Sequence, residues 1–179
     1  TNIEVSDGNW ASINSRDISI SDANPRFIWV GGYMGNFSKI HVSSDWGDSY
    51  NPVNNFTNEN GLGMGTISGI YTHPIEDSTA YVLFSYYGYP KIVKTEDLGN
   101  TWEDISGFAS LDDGLSVSST GFPNVGVYSL LVMPHNTDII WVGTDIGLIE
   151  STDGGENWYL VESNMPYTCL LYTSPSPRD

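Results

Sequence analysis

Carboxylates supply most of the chemistry open to this chain. Its 179 residues hold 22 Asp and Glu against 6 Lys and Arg, a formal net charge of −16. Two carboxyl groups held roughly 5–10 Å apart can hydrolyse a glycosidic bond, one giving a proton and the other acting as nucleophile or base. Other chemistries find few residues. The one cysteine, Cys169, leaves no pair for a disulfide or a thiolate metal site. His41, His73 and His135 stand apart, without ligand spacing, and read as surface or strand residues. Asp112-Asp113-Gly114 lacks the run of oxygen ligands that a calcium loop needs. Gly61-Leu62-Gly63-Met64-Gly65-Thr66 has the glycines of a phosphate loop. No Lys follows it and no helix is predicted there, so it reads as a link between elements. No metal and no cofactor is expected.

The charge balance narrows the partners. Phosphate recognition needs a basic patch, and only Lys39, Lys91, Lys94, Arg16, Arg26 and Arg178 are available to build one. Nucleic acid is therefore disfavoured, as is docking to anionic lipid. No apolar run approaches the roughly 20 residues that span a bilayer. A hydrophobic content of 39%, with six Trp and eleven Tyr, is too rich for a disordered acidic tail. A folded, acidic, aromatic-rich protein remains.

The elements that position these residues come in repeats. One octet occurs three times: Ser43-Ser44-Asp45-Trp46-Gly47-Asp48-Ser49-Tyr50, Thr95-Glu96-Asp97-Leu98-Gly99-Asn100-Thr101-Trp102 and Ser151-Thr152-Asp153-Gly154-Gly155-Glu156-Asn157-Trp158. The shared pattern is Ser/Thr, any, Asp, any, Gly, any, Ser/Thr/Asn, aromatic. A shortened fourth copy is read at Ser6-Asp7-Gly8-Asn9-Trp10. Before each full octet lies an apolar run (Phe27–Gly31, Ala80–Phe84, Ile139–Gly143), and before that a turn rich in Pro, Asp and Asn. A further strand precedes each turn, over 17–20, 66–72 and 127–133. Each unit therefore reads as four short strands, β-branched and aromatic, with no helical periodicity anywhere.

The octet resembles the Asp-box, or BNR repeat, of β-propellers such as sialidases, xyloglucanase-type glycoside hydrolases, sortilin-like domains and photosystem II assembly factors. The segment Tyr128–Trp158 is most similar to sortilin-like and glycosyl-hydrolase-type proteins secreted by bacteria. The resemblance implies an all-β Asp-box β-propeller fragment of about three and a half four-stranded blades, with the ring incomplete. Residues 1–16 read as outer strands of a preceding blade. Residues 17–56, 66–107 and 127–163 read as blades carrying the three octets. The last eleven residues, Cys169–Asp179, resemble the translation of a transposase adapter used in sequencing libraries and read as a non-native tail. Without them the chain keeps its charge and holds no cysteine. With Thr1 in place of Met, both natural termini are expected to lie further on. Rings typically close with about 4–8 blades, so the remaining blades of the full-length chain are an expected partner.

The resemblance also sorts the loops. Octet hairpins share one face with the turns between first and second strands. Asp45, Gly47, Tyr50, Asp97, Gly99, Trp102, Asp153, Gly155 and Trp158 are read as structural: the Asp accepts backbone N–H bonds, Gly supplies a positive φ, and the ring fills the space between sheets. The opposite face, where propellers usually carry ligands, is lined by Gly32–Phe37, Tyr86–Pro90, Gly143–Gly147 and the links 54–65 and 108–126. Tyr33, Phe37, Tyr86, Tyr87 and Tyr89 are the ligand candidates there, able to stack on sugar faces or anchor a protein. Its carboxylates are Asp145, Asp112, Asp113 and Glu59, and Asp145, in a Gly-flanked hairpin, is the weak candidate for catalysis. A sialidase is disfavoured, since that family binds the substrate carboxylate through three arginines. Outside the tail only Arg16 and Arg26 exist, and Arg26 sits in an octet-face turn. A photosystem-assembly role is weaker still, because such propellers look basic on the working face. The expected function is a glycan- or protein-binding module of a larger exported protein, secreted or on the cell surface. The second reading is part of a glycoside hydrolase, xyloglucanase-like before sialidase-like. No membrane insertion is expected.

Overall fold

A computed structural model describes residues 16–34, 40–53, 56, 65–108 and 118–162. The described strands are, in chain order, β1 (Asp17–Ile20), β2 (Ile28–Gly31), β3 (Tyr33–Met34), β4 (His41–Ser43), β5 (Asn51–Pro52), β6 (Gly65–Thr66) and β7 (Gly69–Thr72). They continue with β8 (Ala80–Leu83), β9 (Ile92–Thr95), β10 (Glu103–Asp104), β11 (Val127–Val132), β12 (Ile140–Thr144), β13 (Gly147–Ser151) and β14 (Tyr159–Leu160). No helix occurs among the described residues. Three four-stranded antiparallel sheets form, in the orders β1-β2-β4-β5, β7-β8-β9-β10 and β11-β12-β13-β14. Each is a simple up-and-down meander, the product of short β-branched runs separated by turn residues at every reversal.

The sheets stack face to face through two apolar layers. The first holds Trp29, Met34, Ile40, Val42, Val53, Phe56, Ile67, Ile70, Ala80, Val82, Phe84 and Val93. The second holds Tyr81, Leu83, Ile92, Ile105, Phe108, Phe122, Val127, Leu130, Val132, Ile140, Val142, Ile149 and Trp158. Alternation along β8 divides these layers: Ala80, Val82 and Phe84 face the first sheet, Tyr81 and Leu83 the third. That is the period-2 signature of a strand buried on both faces. The first strands of the sheets, β1, β7 and β11, lie beside one another. Polar bonds join them: Ile70 N donates to Asp17 Oδ2 (2.6 Å), and Tyr71 Oη donates to the Tyr128 carbonyl (3.2 Å). Ile18, Ile20 and Leu131 on these inner strands are exposed and border a cavity of about 440 Å³.

The structure differs from the sequence reading at Tyr33–Met34. That pair, expected in a loop, forms a two-stranded ladder with Gly65–Thr66, the registers being Tyr33↔Thr66 and Met34↔Gly65. The cause is Met34, which is fully buried in the first apolar layer and pins the segment to the second sheet. The preceding-blade segment 1–16 lies outside the described residues except for Arg16. The short fourth octet, Phe37, Glu59, Asp112, Asp113 and the tail 169–179 lie outside them as well.

Candidate functional site

The octets come first, because they set the two faces. All three use one hydrogen-bond scheme. The first hydroxyl donates to the aspartate Oδ1: Ser43 to Asp45 (2.7 Å), Thr95 to Asp97 (2.9 Å) and Ser151 to Asp153 (2.8 Å). The same hydroxyl accepts from the amide of Gly47 (2.8 Å), Gly99 (2.9 Å) and Gly155 (2.9 Å). The aspartate then closes the turn by accepting from both the amide and the side chain of the seventh residue: Ser49 (2.9 and 2.6 Å), Thr101 (2.8 and 2.7 Å) and Asn157 (2.9 and 2.8 Å).

Each octet is also bonded to the turn between the first and second strands of its own sheet. Trp46 N donates to the Arg26 carbonyl, Leu98 N to that of Ser78 and Gly154 N to that of Asp138, at 3.1, 3.0 and 2.9 Å. Both turn families therefore share a face. The terminal rings point inward. Tyr50 and Trp158 are buried, while Trp102 is half-buried and meets Trp29 edge-on at 6.2 Å.

These bonds favour ionised aspartates. Asp45 is drawn down to about 2, first by the Ser49 hydroxyl, then by the Ser49 amide and the Ser43 hydroxyl. At Asp97, burial pushes upward, but the Thr101 and Thr95 bonds overcome it and the carboxyl is lowered. Asp153 is lowered first by the Asn157 side chain. A carboxyl whose folded pKa is depressed stabilises the fold above its unfolded value and loses that contribution as pH falls through the folded one. Acid unfolding should therefore set in below about pH 4 and run toward pH 2. Circular-dichroism melts across that range should show Asp97→Ala already destabilised at pH 7 and less sensitive to acid.

The opposite face holds a cavity of about 520 Å³ lined by Arg16, Asp17, Thr66, Ile67, Ser68, Ser85, Tyr86 and Tyr128. It opens where β1, β7 and β11 begin, at the ends remote from the octets. Three aliphatic hydroxyl side chains, Thr66, Ser68 and Ser85, and two phenol rings there border one concave surface with a guanidinium. Asp17 keeps its carboxylate in place by accepting from Ile18 N (2.9 Å) and Ile70 N (2.6 Å). Asp145 reaches the same region through Tyr128, whose hydroxyl donates to Oδ1 (2.9 Å), while Gly126 N donates to Oδ2 (2.9 Å). Ser85 Oγ donates to the Val127 carbonyl (2.9 Å), joining the second and third sheets at the cavity wall.

The expected aromatic group divides. Tyr33 and Tyr86 are exposed, and both rings come within 4 Å of the position a Cβ would take on Gly65. They thus stand together, with Tyr86 in the cavity wall. Tyr87 is exposed but lies over the Lys91 ammonium, 5.5 Å from ring centroid to Nζ. Tyr89 is half-buried and packs on the first apolar layer. The end of the link 108–126 turns inward as well: Phe108 and Phe122 are buried, and Phe122 meets Trp158 edge-on at 5.2 Å.

No family model and no curated protein matches the chain. Solved structures do. The chain is similar to a GH74 xyloglucanase from Xanthomonas campestris, at 16% identity and a TM-score of 0.57, over 88% of this chain and 24% of that one. An ancestral GH74 enzyme gives 17% identity and a TM-score of 0.56, over 84% of this chain and 19% of that one. YCF48 from Cyanidioschyzon merolae gives 18% and 0.51, over 83% and 38%. The chain thus spans well under half the length of each. The fold is that of a β-propeller. The three sheets are blades of an unclosed ring, and the likeness, at this identity, is one of fold alone.

Several site residues were not singled out by the sequence. Asp17, Ser68, Ser85 and Tyr128 come from the starts and ends of strands in different blades, and no local motif links them. Arg16 was noted only as a spare arginine, yet it borders the cavity. Two histidines are interior: His41 is buried on β4, and buried His73 accepts the Glu76 amide at Nδ1 (2.9 Å), capping its turn. Reading all three as surface or plain strand residues therefore failed at His73, because a neutral ring can replace a backbone acceptor in a tight turn. No group of three or more metal-ligating side chains occurs among the described residues.

Proposed function

We propose that this chain is part of a glycan-binding β-propeller within a larger exported protein, secreted or held at the cell surface. In this reading the octets are Asp-boxes with a purely structural role, and further blades of the same chain complete the ring. The observation that carries the reading is the pairing of Tyr33 and Tyr86 beside Gly65 at the mouth of a hydroxyl-lined cavity. Phenol rings stack on the apolar faces of pyranoses, and side-chain hydroxyls answer sugar hydroxyls. A volume of about 520 Å³ suits a few sugar units rather than a protein surface.

A second reading, part of a glycoside hydrolase of xyloglucanase type, draws on Asp17 and Asp145 near one cavity. Against it, both oxygens of each carboxylate already accept bonds from the chain itself. Each oxygen thus keeps one lone pair at most for a proton or a substrate, which narrows the directions from which either carboxylate could act. Affinity electrophoresis in gels of xyloglucan, mixed-linkage glucan and mannan tests the proposal. Retardation by at least one polymer is expected, with Tyr86→Ala weakening binding about tenfold, the scale of one lost aromatic contact. Equal mobility of wild type and Tyr86→Ala in a retarding gel would move the site elsewhere. Release of reducing sugar, abolished by Asp145→Asn, would favour the hydrolase.

A further inference from the structure

A lysine taken out of water destabilises a fold unless something answers its charge. Lys91 is 0% exposed, and among the described residues it has no ion-pair partner. The nearest acid in influence, Asp104, raises its pKa only in part. The Asp104 carboxylate accepts from Ser106 N (2.8 Å), Ser106 Oγ (2.5 Å) and Phe108 N (2.6 Å). The Lys91 ammonium is instead directed at the loop between β8 and β9. Its Nζ donates to the main-chain carbonyl of Tyr86. The rings of Tyr87 and Phe108 enclose it, with centroids 5.5 and 5.4 Å away. Lys91 N donates to Ser106 Oγ (2.7 Å), which anchors the base of the side chain to the link after β10. On the far side of the same loop, Gly88 N donates to Asn124 Oδ1 (3.0 Å).

We propose that Lys91 is a positioning residue of the cavity: its ammonium clamps the 84–90 loop to the link between the second and third blades and so holds Tyr86 at the cavity wall. The effect on ligand affinity rests on the glycan-binding reading. The effect on loop order does not. Geometry gives the clamp a direction, since the cation joins two segments that the strand ladder leaves independent. Its electrostatics give it a pH signature. Burial lowers the Lys91 ammonium to about 8, with Asp104 opposing. Among the described residues the other titratable group facing it is the phenol of Tyr87. Above about pH 8 the neutral amine keeps a weaker, uncharged bond and loses its attraction to the two rings. The burial cost relieved outweighs that loss, because an opened loop returns Lys91 to water. Loop protection, and with it affinity, should rise as pH passes that value, and fold stability with them. The unfolded lysine still binds a proton up to its ordinary value near 10.5, so stability rises with pH across the interval.

Lys91→Met keeps the length and apolar stem of the side chain and removes the cation. Amide hydrogen exchange read at Tyr86–Tyr89, against the octet turns as internal reference, should be about tenfold faster in the variant, the scale of one charge-assisted bond. Titration with xyloglucan oligosaccharide should show wild-type affinity rising between about pH 7 and 9 while the weaker affinity of Lys91→Met stays flat. If the folded variant matches wild type in loop exchange, the proposal is overturned. If wild type binds no oligosaccharide, the glycan reading fails and the exchange comparison alone decides the clamp. Should Lys91→Met not fold, the wild-type loop still reports. Protection at Tyr86–Tyr89 must rise relative to the octet turns as pH passes about 8, and parallel behaviour contradicts the proposal.

Discussion

Replacing Trp158 with alanine lowers the free energy of unfolding by about 3–5 kcal/mol, the range for a buried Trp truncated in a core. Chemical denaturation of the chain, with midpoint and slope read separately, measures it. The size follows from what the ring holds. Trp158 is 3% exposed, meets Phe122 edge-on, and lies in the apolar layer between the second and third blades. Its Nε1 donates to the Ile105 carbonyl (2.8 Å) and its main-chain amide to the Thr120 carbonyl (3.0 Å). One residue at the end of an octet thus joins the last strand of its own blade to the preceding blade and to the link between them. Truncation leaves a cavity and an unpaired buried carbonyl together. Trp158→Phe should recover the packing but not the bond, with a loss near 1–2 kcal/mol.

Gly99→Ala is expected to cost about 2–4 kcal/mol, from a left-handed backbone and a steric clash acting together. The residue has φ +84°, and a Cβ there would sit 2.6 Å from Val53 Cβ on the first blade. Both atoms belong to main-chain-anchored groups, so neither moves without shifting one blade against the other. Gly154 supplies the comparison. It has φ +73° but nothing within 4 Å of the added carbon, so Gly154→Ala carries the backbone cost alone, about 1 kcal/mol. Thermal melts of the two variants separate strain from clash. Equal losses would mean that the octet of the second blade does not seat on the first.

Legibility followed the range of the interactions. The octets were readable because their bonds run between residues two and four apart, so the spacing Ser-x-Asp-x-Gly-x-Ser carries its own geometry. The blades were readable because turn residues recur at each strand end. What failed to show in the sequence was assembled across blades. Arg16, Asp17 and Tyr128 meet at the cavity only because the first strands of the sheets lie side by side. Lys91 stood among six basic residues with nothing local to mark it as buried. Its burial depends on Phe108, a residue of the link that leads to the next blade. Tyr89 faces the core because the loop after β8 folds back on the first apolar layer, whereas its neighbour Tyr86 faces the cavity.

The octet position read as free is also constrained. Trp46 and Leu98 take φ +66° and +56° where the third octet has Gly154. Leu98 packs on the first apolar layer, but Trp46 is 69% exposed. Nothing in the structure explains a tryptophan there.

Backbone amide chemical-shift mapping of the isotope-labelled chain with a soluble xyloglucan oligosaccharide tests the account most directly, because it locates contact on one face or the other. Saturable shifts are expected at Thr66–Ser68, Ser85–Tyr86, Gly126–Tyr128 and Asp145, with the octet amides of Gly47, Gly99 and Gly155 unmoved. Saturable shifts confined to the octet turns, with the cavity silent, would contradict the assignment of binding to the cavity and of structure to the octets.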